Sequence, residues 1–399
     1  MYKVMGKIKE NSMKYSYNDI MVKPAILSTI EHRAECNPYN ESGMLPLFTA
    51  PMDSVVNINN FELFLKNKII PILPRTETLN DRLKFVEIGR WAAFSLDEFE
   101  NNFIKSVDAK KYVYPLHILI DIANGHVARL YQSVRAAKGI FGNSLIIMVG
   151  NIANPETYRV CVESQVDYVR CSVGTGAGCI TSSNTAIGYP IASLISEIAE
   201  IKKEFVERGS DKSKLTKIIA DGGIRNYSDV IKALALGADY VMCGSIFSKM
   251  MESSAVKLMD RGINSASKKV LLRFPLERYE NLKCENGLWS GDYTDEFIAE
   301  MKKNGREVEK ENHLIGEIKA KFYGMASKAG QIAMKGKKVH TSEGIEKMFD
   351  VTYTMGTWVE NMTDYLRSAM SYTNSRNLDE FRQANVVLIS QNTYNSVNK

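Results

Sequence analysis

Eight short apolar stretches in the first 245 residues constrain the fold of this 399-residue chain more than any other feature. Most are apolar at consecutive positions, as expected of strands covered on both faces of a sheet. Segments of helical length lie between them, and most starts are about 22–29 residues apart, the size of one βα unit. The predicted strands are Leu45–Ala50, Ile69–Leu73, Trp91–Leu96, Leu116–Ile122, Leu145–Val149, Asp167–Ser172, Lys217–Ala220 and Asp239–Cys243.

Eight consecutive βα units predict an α/β protein with a closed (β/α)8 TIM barrel, in a single domain over residues 1–399. A doubly wound open sheet also alternates strands and helices and is the alternative fold. The interval between the sixth and seventh strands is longer, about 50 residues, and predicts a large loop at the catalytic face followed by a helix. Helices are predicted over Asn60–Lys66, Pro155–Glu163, Tyr189–Val206, Asp229–Ala235 and Val359–Met370.

Three later segments depart from the βα period. Residues 262–318 are dense in Lys, Glu, Arg and Asn and predict an insertion on the barrel rim. Residues 322–344 contain several glycines with little periodicity and predict a mobile active-site loop. The tail Gln391–Lys399 is expected to be frayed.

Composition excludes several function classes. The 51 Lys and Arg against 46 Asp and Glu give a formal charge of +5 spread over the chain, which argues against nucleic acid as a partner. Apolar runs such as Leu145–Val149 are far below the roughly 18 residues of a membrane span, and the N-terminus does not resemble a signal peptide. The six cysteines have no paired spacing, which favours reduced thiols and a cytoplasmic location, and no histidine motif predicts zinc.

A glycine-rich loop that ends in a cysteine gives the strongest chemical signal. Residues Gly174–Thr181 read GTGAGCIT and follow the sixth predicted strand. Alternate glycines let the backbone turn tightly and approach a ligand without a Cβ. At the carboxyl end of a barrel strand Cys179 is a candidate nucleophile, and nearby main-chain N–H groups would favour its thiolate form. A structural turn with a small buried thiol is the alternative, and it is the preferred interpretation of the other five cysteines.

Glycines after the seventh and eighth predicted strands indicate a phosphate site. Barrels commonly bind phosphate with these two loops and a helix N-terminus. Gly222, Gly223 and Gly244 would supply backbone donors, and Ser245 a hydroxyl. Asp221, directly before the glycines, is suited to binding a ribose diol. Ordinary βα turns are the alternative.

Two further carboxylates are candidates. Asp121 ends the fourth predicted strand and is expected to point into the barrel mouth. Glu343 could donate or accept a proton if its loop folds over the mouth, whereas a solvated surface carboxylate is the alternative.

Taken together, these motifs resemble those of the IMP dehydrogenase/GMP reductase family of purine nucleotide barrels. They occur in the family's order and span nearly the whole chain apart from residues 262–318. The matching stretches are YSYNDIMVKP (Tyr15–Pro24), TAPMDSV (Thr49–Val55), DIANGH (Asp121–His126), GNIANP (Gly150–Pro155), GTGAGCIT (Gly174–Thr181), Ile219–Ser245, FYGMAS (Phe322–Ser327), SEG (Ser342–Gly344) and LRSAMSYTN (Leu366–Asn374).

The resemblance implies that Cys179 attacks C2 of a purine nucleoside monophosphate, and that the covalent thioimidate exchanges hydride with a nicotinamide cofactor. Thr181 and Glu343 would handle the proton of the leaving amine. The implied cofactor NADPH, or NAD in the alternative reaction, would contact Asp121, Asn124, Arg367 and Ser368. The implied substrate contacts are Asp221, Gly222, Gly223, Gly244, Ser245, Met325 and Gly344.

Two reactions of the family remain open. The reductase converts GMP to IMP and ammonia with NADPH, and the dehydrogenase oxidises IMP to XMP with NAD. The second and third strands start too close together for the CBS domains usual in the dehydrogenase, and residues 328–341 lack the Arg-Tyr pair that activates its hydrolytic water. These absences favour the reductase, whereas Pro51 and the ADGGI stretch resemble the dehydrogenase. A catalytically silent nucleotide-binding relative is the third alternative.

Several positions depart from the family's pattern. Thr175 and Ala177 replace a Pro and a Ser of the loop, Gly178 replaces an Ile or Val beside Cys179, and His340 replaces an Arg. The resemblance also implies a homotetramer or octamer in which Arg367 belongs to a shared site. It further allows K⁺ bound through the carbonyls of Gly174, Gly176 and Cys179.

Overall fold

The computed structural model of the protein describes residues 13–107, 114–263, 269–311, 313–335, 341–342 and 344–397. The strands of this described part are β1 (Ile20–Val22), β2 (Leu47–Thr49), β3 (Ile72–Leu73), β4 (Trp91–Phe94), β5 (Leu116–Asp121), β6 (Leu145–Ile152), β7 (Tyr168–Cys171), β8 (Lys217–Asp221), β9 (Tyr240–Cys243), β10 (Lys257–Ile263), β11 (Lys269–Arg273), β12 (Tyr279–Glu285), β13 (Leu288–Tyr293), β14 (His313–Tyr323), β15 (Glu346–Asp350) and β16 (Val386–Leu388).

The helices alternate with the strands through the first two thirds of the chain. They are α1 (Phe61–Lys66), α2 (Leu79–Glu87), α3 (Leu96–Glu98), α4 (Ile104–Ser106), α5 (Ala128–Phe141), α6 (Thr157–Glu163), α7 (Thr181–Thr185), α8 (Ile191–Glu207), α9 (Tyr227–Ala235), α10 (Ser245–Ser248), α11 (Asp295–Lys303), α12 (Lys328–Lys335), α13 (Met355–Tyr372), α14 (Leu378–Phe381) and α15 (Gln391–Val397).

Strands β2 to β9 form a parallel sheet that closes on itself. Each strand pairs with the next along the chain from β3 to β9, and β9 pairs with β2. The closure is completed beside β3, where Thr49 N–H donates to Ile70 O over 3.0 Å and Ile70 N–H donates to Leu47 O over 2.9 Å. The predicted (β/α)8 barrel is therefore confirmed.

Burial on both faces explains why these strands read as continuous apolar runs. On β5, Leu119 belongs to the cluster inside the barrel, whereas Ile118 and Ile120 pack beneath the helices. Aromatic rings that begin three strands, Trp91, Tyr168 and Tyr240, pack around Phe48 with ring centroids 5.1–6.0 Å apart. This aromatic plug fills the amino-terminal end of the barrel and leaves the carboxyl-terminal end for a site.

A second, antiparallel sheet extends from Lys257 to Asp350. Its strand order is β11-β10-β14-β13-β12, and β15 pairs with β14. A separate apolar core anchors it, in which the fully buried Trp289 donates its indole N–H to Val351 O over 2.6 Å. The sheet begins before residue 262 and ends after residue 318. The insertion boundaries 262–318 stay a prediction.

Two segments contain helices that the sequence analysis did not predict. Helix α12 lies within residues 322–344, because its Ala, Gln, Met and Lys residues favour helix, and the mobility of this loop stays a prediction. The tail expected to fray contains α15, whose first turn is capped by Ser390, with Thr393 N–H donating to the serine hydroxyl over 3.3 Å. Among the described helices, none is both long and apolar enough to cross a bilayer.

Lys257 is a buried cation where the barrel chain enters the second sheet. It is 6% exposed, and its ammonium donates to Ser253 O over 2.5 Å and to Ala255 O over 3.2 Å. Burial lowers the pKa of Lys257 from the ordinary 10.5 to about 8. Below that pH the folded protein carries the full cost of burying the charge.

This depressed pKa predicts that the free energy of unfolding rises with pH between about 8 and 10.5. The folded protein releases its proton first, so the unfolded chain binds more protons in this window. We expect the wild type to gain up to about 3 kcal/mol relative to Lys257→Met across it. Urea unfolding of both proteins at several pH values measures the gain, and parallel curves would contradict it.

Candidate active site

A cavity of about 220 Å³ lies at the carboxyl ends of the barrel strands. It is lined by the end of β5, by Arg170 of β7, by the loops after β2, β7, β8 and β9, and by the end of β14 with the segment after it. Most of the predicted site residues meet here. The lining includes Pro51, Met52, Asp121, Arg170, Gly176, Ala177, Gly178, Cys179, Asp221, Gly222, Gly223, Gly244, Ser245, Phe322, Gly324 and Met325.

Cys179 is the cysteine that lines this cavity. It is half-buried, and its thiol donates to the Thr181 hydroxyl with 3.2 Å between Sγ and Oγ1. By contrast, Cys161 and Cys243 are enclosed in the apolar core, where burial raises the pKa of Cys161 to about 12 and that of Cys243 higher still. Those thiols remain protonated and inaccessible, so the distribution of burial agrees with Cys179 as the reactive one.

The glycine loop before Cys179 is held by short contacts. Gly174 has a φ of +76°, and a Cβ there would lie 1.6 Å from the Ser182 hydroxyl. The Thr175 hydroxyl shares a hydrogen bond of 2.6 Å with Ser172 and so ties the loop to the end of β7. The Gly176 carbonyl accepts the Cys179 N–H over 3.0 Å. Binding of K⁺ by the carbonyls of Gly174, Gly176 and Cys179 stays a prediction.

The predicted phosphate loops border the same cavity. Gly222 and Gly223 have φ of +101° and +73°, a conformation that glycine adopts most readily. Gly223 donates its N–H to Thr175 O over 3.1 Å, so in this conformation that N–H is not available to a phosphate. Gly244 and Ser245 line the cavity at the start of the short helix α10.

Arg170 is the residue of the site that the sequence did not single out. It lies on β7 with 7% exposure, and its guanidinium donates to Asp121 Oδ1 over 2.6 Å and to Asp221 Oδ2 over 2.9 and 3.1 Å. Burial opposes its charge, but the carboxylates of Asp221 and Asp121 outweigh burial and raise the pKa of Arg170. The sequence feature that could have indicated Arg170 is a lone arginine in an otherwise apolar strand.

Asn151 and Gly150 complete this arrangement from β6. Asn151 donates its amide to Asp221 Oδ2 over 2.6 Å, so this one oxygen accepts three hydrogen bonds. Gly150 has a φ of +144°, and a Cβ there would lie 2.6 Å from Arg170 Cβ. The glycine therefore lets Arg170 reach between the two carboxylates.

Other predicted residues have different positions. Asn124 lies on the loop after β5, exposed and outside the cavity lining, and its side chain accepts the His126 N–H over 3.1 Å. Arg367 and Ser368 lie on α13, where Arg367 Nε donates to Cys36 O over 3.3 Å, so this chain does not bring them to Cys179. Their cofactor role stays a prediction.

The SEG stretch is partly described. Gly344 forms an antiparallel β-bridge with Cys179, which places this glycine beside the thiol. Glu343 and His340 lie outside the described residues, so the predicted proton role of Glu343 stays a prediction.

Comparison with known proteins places the same residues in a family context. The family model for the IMP dehydrogenase / GMP reductase domain matches residues 109–269. A GMP reductase of Shouchella clausii is 31% identical over 252 residues, which are 60% of this chain and 72% of the relative. A GMP reductase of Clostridium acetobutylicum is 26% identical over 395 residues, covering 96% of this chain and 97% of the relative.

We expect Arg170→Met to lower the free energy of unfolding by about 3–5 kcal/mol, because it leaves the partly buried Asp221 without its cation and leaves Asp121 with only Arg75, 4.0 Å away. Urea unfolding followed by tryptophan fluorescence measures the loss. Arg129→Met is the matched control, since Arg129 pairs with Glu100 and Asp97 while its side chain is 52% exposed, and it should cost less than about 1 kcal/mol. Equal losses of unfolding free energy in the two variants would contradict the inference that burial makes the ion pairs of Arg170 more important for stability.

Proposed function

The chain belongs to the IMP dehydrogenase/GMP reductase family and is an oxidoreductase, and from this premise we propose that it converts GMP to IMP and ammonia with NADPH as reductant. The observation that carries the proposal is the half-buried Cys179 thiol, hydrogen-bonded to Thr181 in a cavity at the carboxyl end of the barrel. The similarity to relatives named GMP reductase supports the reductase reaction.

The proposed chemistry begins with addition of the Cys179 thiolate to C2 of GMP. The C2–N bond then breaks, and the amino group leaves as ammonia after accepting a proton, for which Thr181 and Glu343 are the proposed route. This leaves a thioimidate in which C2 is bonded to Cys179 Sγ. When bound, NADPH supplies the hydride that reduces C2, after which the C2–S bond breaks and the thiolate is restored.

Substrate binding is proposed to use the loops that border Cys179. Asp221 Oδ2 is already occupied by Arg170 and Asn151, and among the described residues Oδ1 accepts no hydrogen bond, which leaves an acceptor for ribose hydroxyls. Gly222, Gly244 and Ser245 are the proposed phosphate contacts, with Gly223 shaping the loop. Met325 and Gly344 are proposed to lie along the base.

The residues near Asp121 fit the nicotinamide end of the cofactor. Asp121 lines the cavity, and its carboxylate is oriented by Arg170, so it borders the space beside Cys179. Asn124 on the following loop is proposed to assist it. Arg367 and Ser368 would contact the far end of NADPH bound to a neighbouring copy, which is the basis for proposing a tetramer or octamer.

One cavity residue favours the dehydrogenase reaction as the second candidate. Pro51 lines the cavity at the position where its stretch resembles the dehydrogenase. The absence of an Arg-Tyr pair between residues 328 and 341 argues against hydrolysis of the intermediate. The two reactions differ in both substrate and direction of hydride transfer, so a single assay separates them.

We expect the purified protein to oxidise NADPH when GMP is added and to release one ammonia for each NADPH oxidised. The near-ultraviolet absorbance of NADPH measures its consumption. Cys179→Ala should abolish both signals because it removes the atom that bonds C2. Cys284→Ala is the matched control, a half-buried thiol on β12 of the second sheet, and it should keep full activity.

Other outcomes identify the alternatives. NADH formation from IMP and NAD with production of XMP would make the protein a dehydrogenase. No turnover of either substrate pair, together with nucleotide binding that Cys179→Ala leaves unchanged, would support the third alternative, a catalytically silent nucleotide-binding relative.

A further inference from the structure

The backbone beside Cys179 is paired with the second sheet. Strand β14 ends at Tyr323 and β15 begins at Glu346, and the ladder between them continues where Gly324 N–H donates to Ile345 O over 3.3 Å. Ile345 N–H in turn donates to Gly178 O over 2.9 Å, and Gly344 bridges Cys179. The residue before the thiol thus hydrogen-bonds to the edge of the antiparallel sheet.

Three glycines make this close approach possible. A Cβ on Gly178 would lie 2.8 Å from Gly324 N and 3.0 Å from the ring of Phe322. A Cβ on Gly324 would lie 2.5 Å from Gly178 O, and one on Gly344 would lie 3.0 Å from the same oxygen. Because the neighbours are mostly backbone atoms, a side chain at any of the three positions would force the segments apart.

The sheet edge that meets Gly178 is itself held firmly. Lys321 N–H donates to Val256 O over 2.9 Å, and the Tyr323 hydroxyl hydrogen-bonds to Asp53 on the loop after β2. Phe322 is 2% exposed and packs on Phe349 of β15. The thiol loop therefore docks on an element fixed to both the barrel and the second sheet.

We propose that Gly178 is a positioning residue, and that through its contact with Gly324 and Ile345 the second sheet sets the place and reactivity of the Cys179 thiol. The consequence for turnover rests on the proposed function, whereas the consequence for thiol reactivity does not. This contact gives a physical reason for glycine at position 178, where the family resemblance predicts an Ile or Val.

Gly178→Ala tests the contact directly. No left-handed φ is required at Gly178, so alanine can adopt the backbone and the only new feature is its Cβ against Gly324 and Phe322. We expect amide exchange in peptides containing Ile345 to rise about tenfold, the effect of losing one ordinary hydrogen bond. Alkylation of Cys179 by iodoacetamide should accelerate severalfold, and kcat with GMP should fall about 10- to 100-fold with a smaller change in KM.

Gly139→Ala is the matched control. It also replaces a glycine without left-handed φ, and nothing lies within 4 Å of its added Cβ. Exchange at Ile345, alkylation of Cys179 and turnover should all match the wild type in this variant. If Gly178→Ala does not fold, Gly324→Ala places a Cβ on the same contact from the opposite side and should give the same three changes.

A folded Gly178→Ala protein with wild-type exchange at Ile345 and wild-type alkylation of Cys179 would overturn the inference. Altered exchange and alkylation in a protein whose wild type does not turn over GMP would support the inference and refute the proposed function. The two failures are therefore distinguishable.

Discussion

The ion pairs of Arg170 are the interaction on which the rest of the site depends. A guanidinium with 7% exposure is costly unless compensated, and here the carboxylates of Asp121 and Asp221 compensate it from both sides. The three residues end or occupy different strands of the barrel, so their geometry is set by the sheet register. Because both carboxylates line the cavity, the pairing also fixes which of their oxygens are left for ligands.

The second sheet gives the site a boundary that a barrel alone does not have. Its strands β14 and β15 flank Gly324 and Gly344, which lie at the cavity and beside Cys179, and its own core around Trp289 keeps the strands in place. A glycine contact links the backbone beside Cys179 to a packed element with its own apolar core.

Much of the barrel was predictable because its strands are buried on both faces and can therefore be recognised in the sequence as apolar runs. Cys179, Asp121 and Asp221 could be placed together because the carboxyl ends of parallel strands share one end of a barrel. Arg170 was missed because its partners are 49 and 51 residues away, so a lone arginine in the apolar strand β7 does not by itself reveal an ion pair. Gly178 reads as a departure in sequence, and only the packing of Gly324 and Phe322 against it gives a physical reason.

The aromatic plug at the amino-terminal end of the barrel affects the direction from which a ligand can reach the site. Phe48, Trp91 and Tyr168 pack edge to face and Tyr240 packs at a tilt, so aromatic rings fill that end of the barrel. A ligand therefore reaches Cys179 from the carboxyl-terminal side, where the described loops border the cavity.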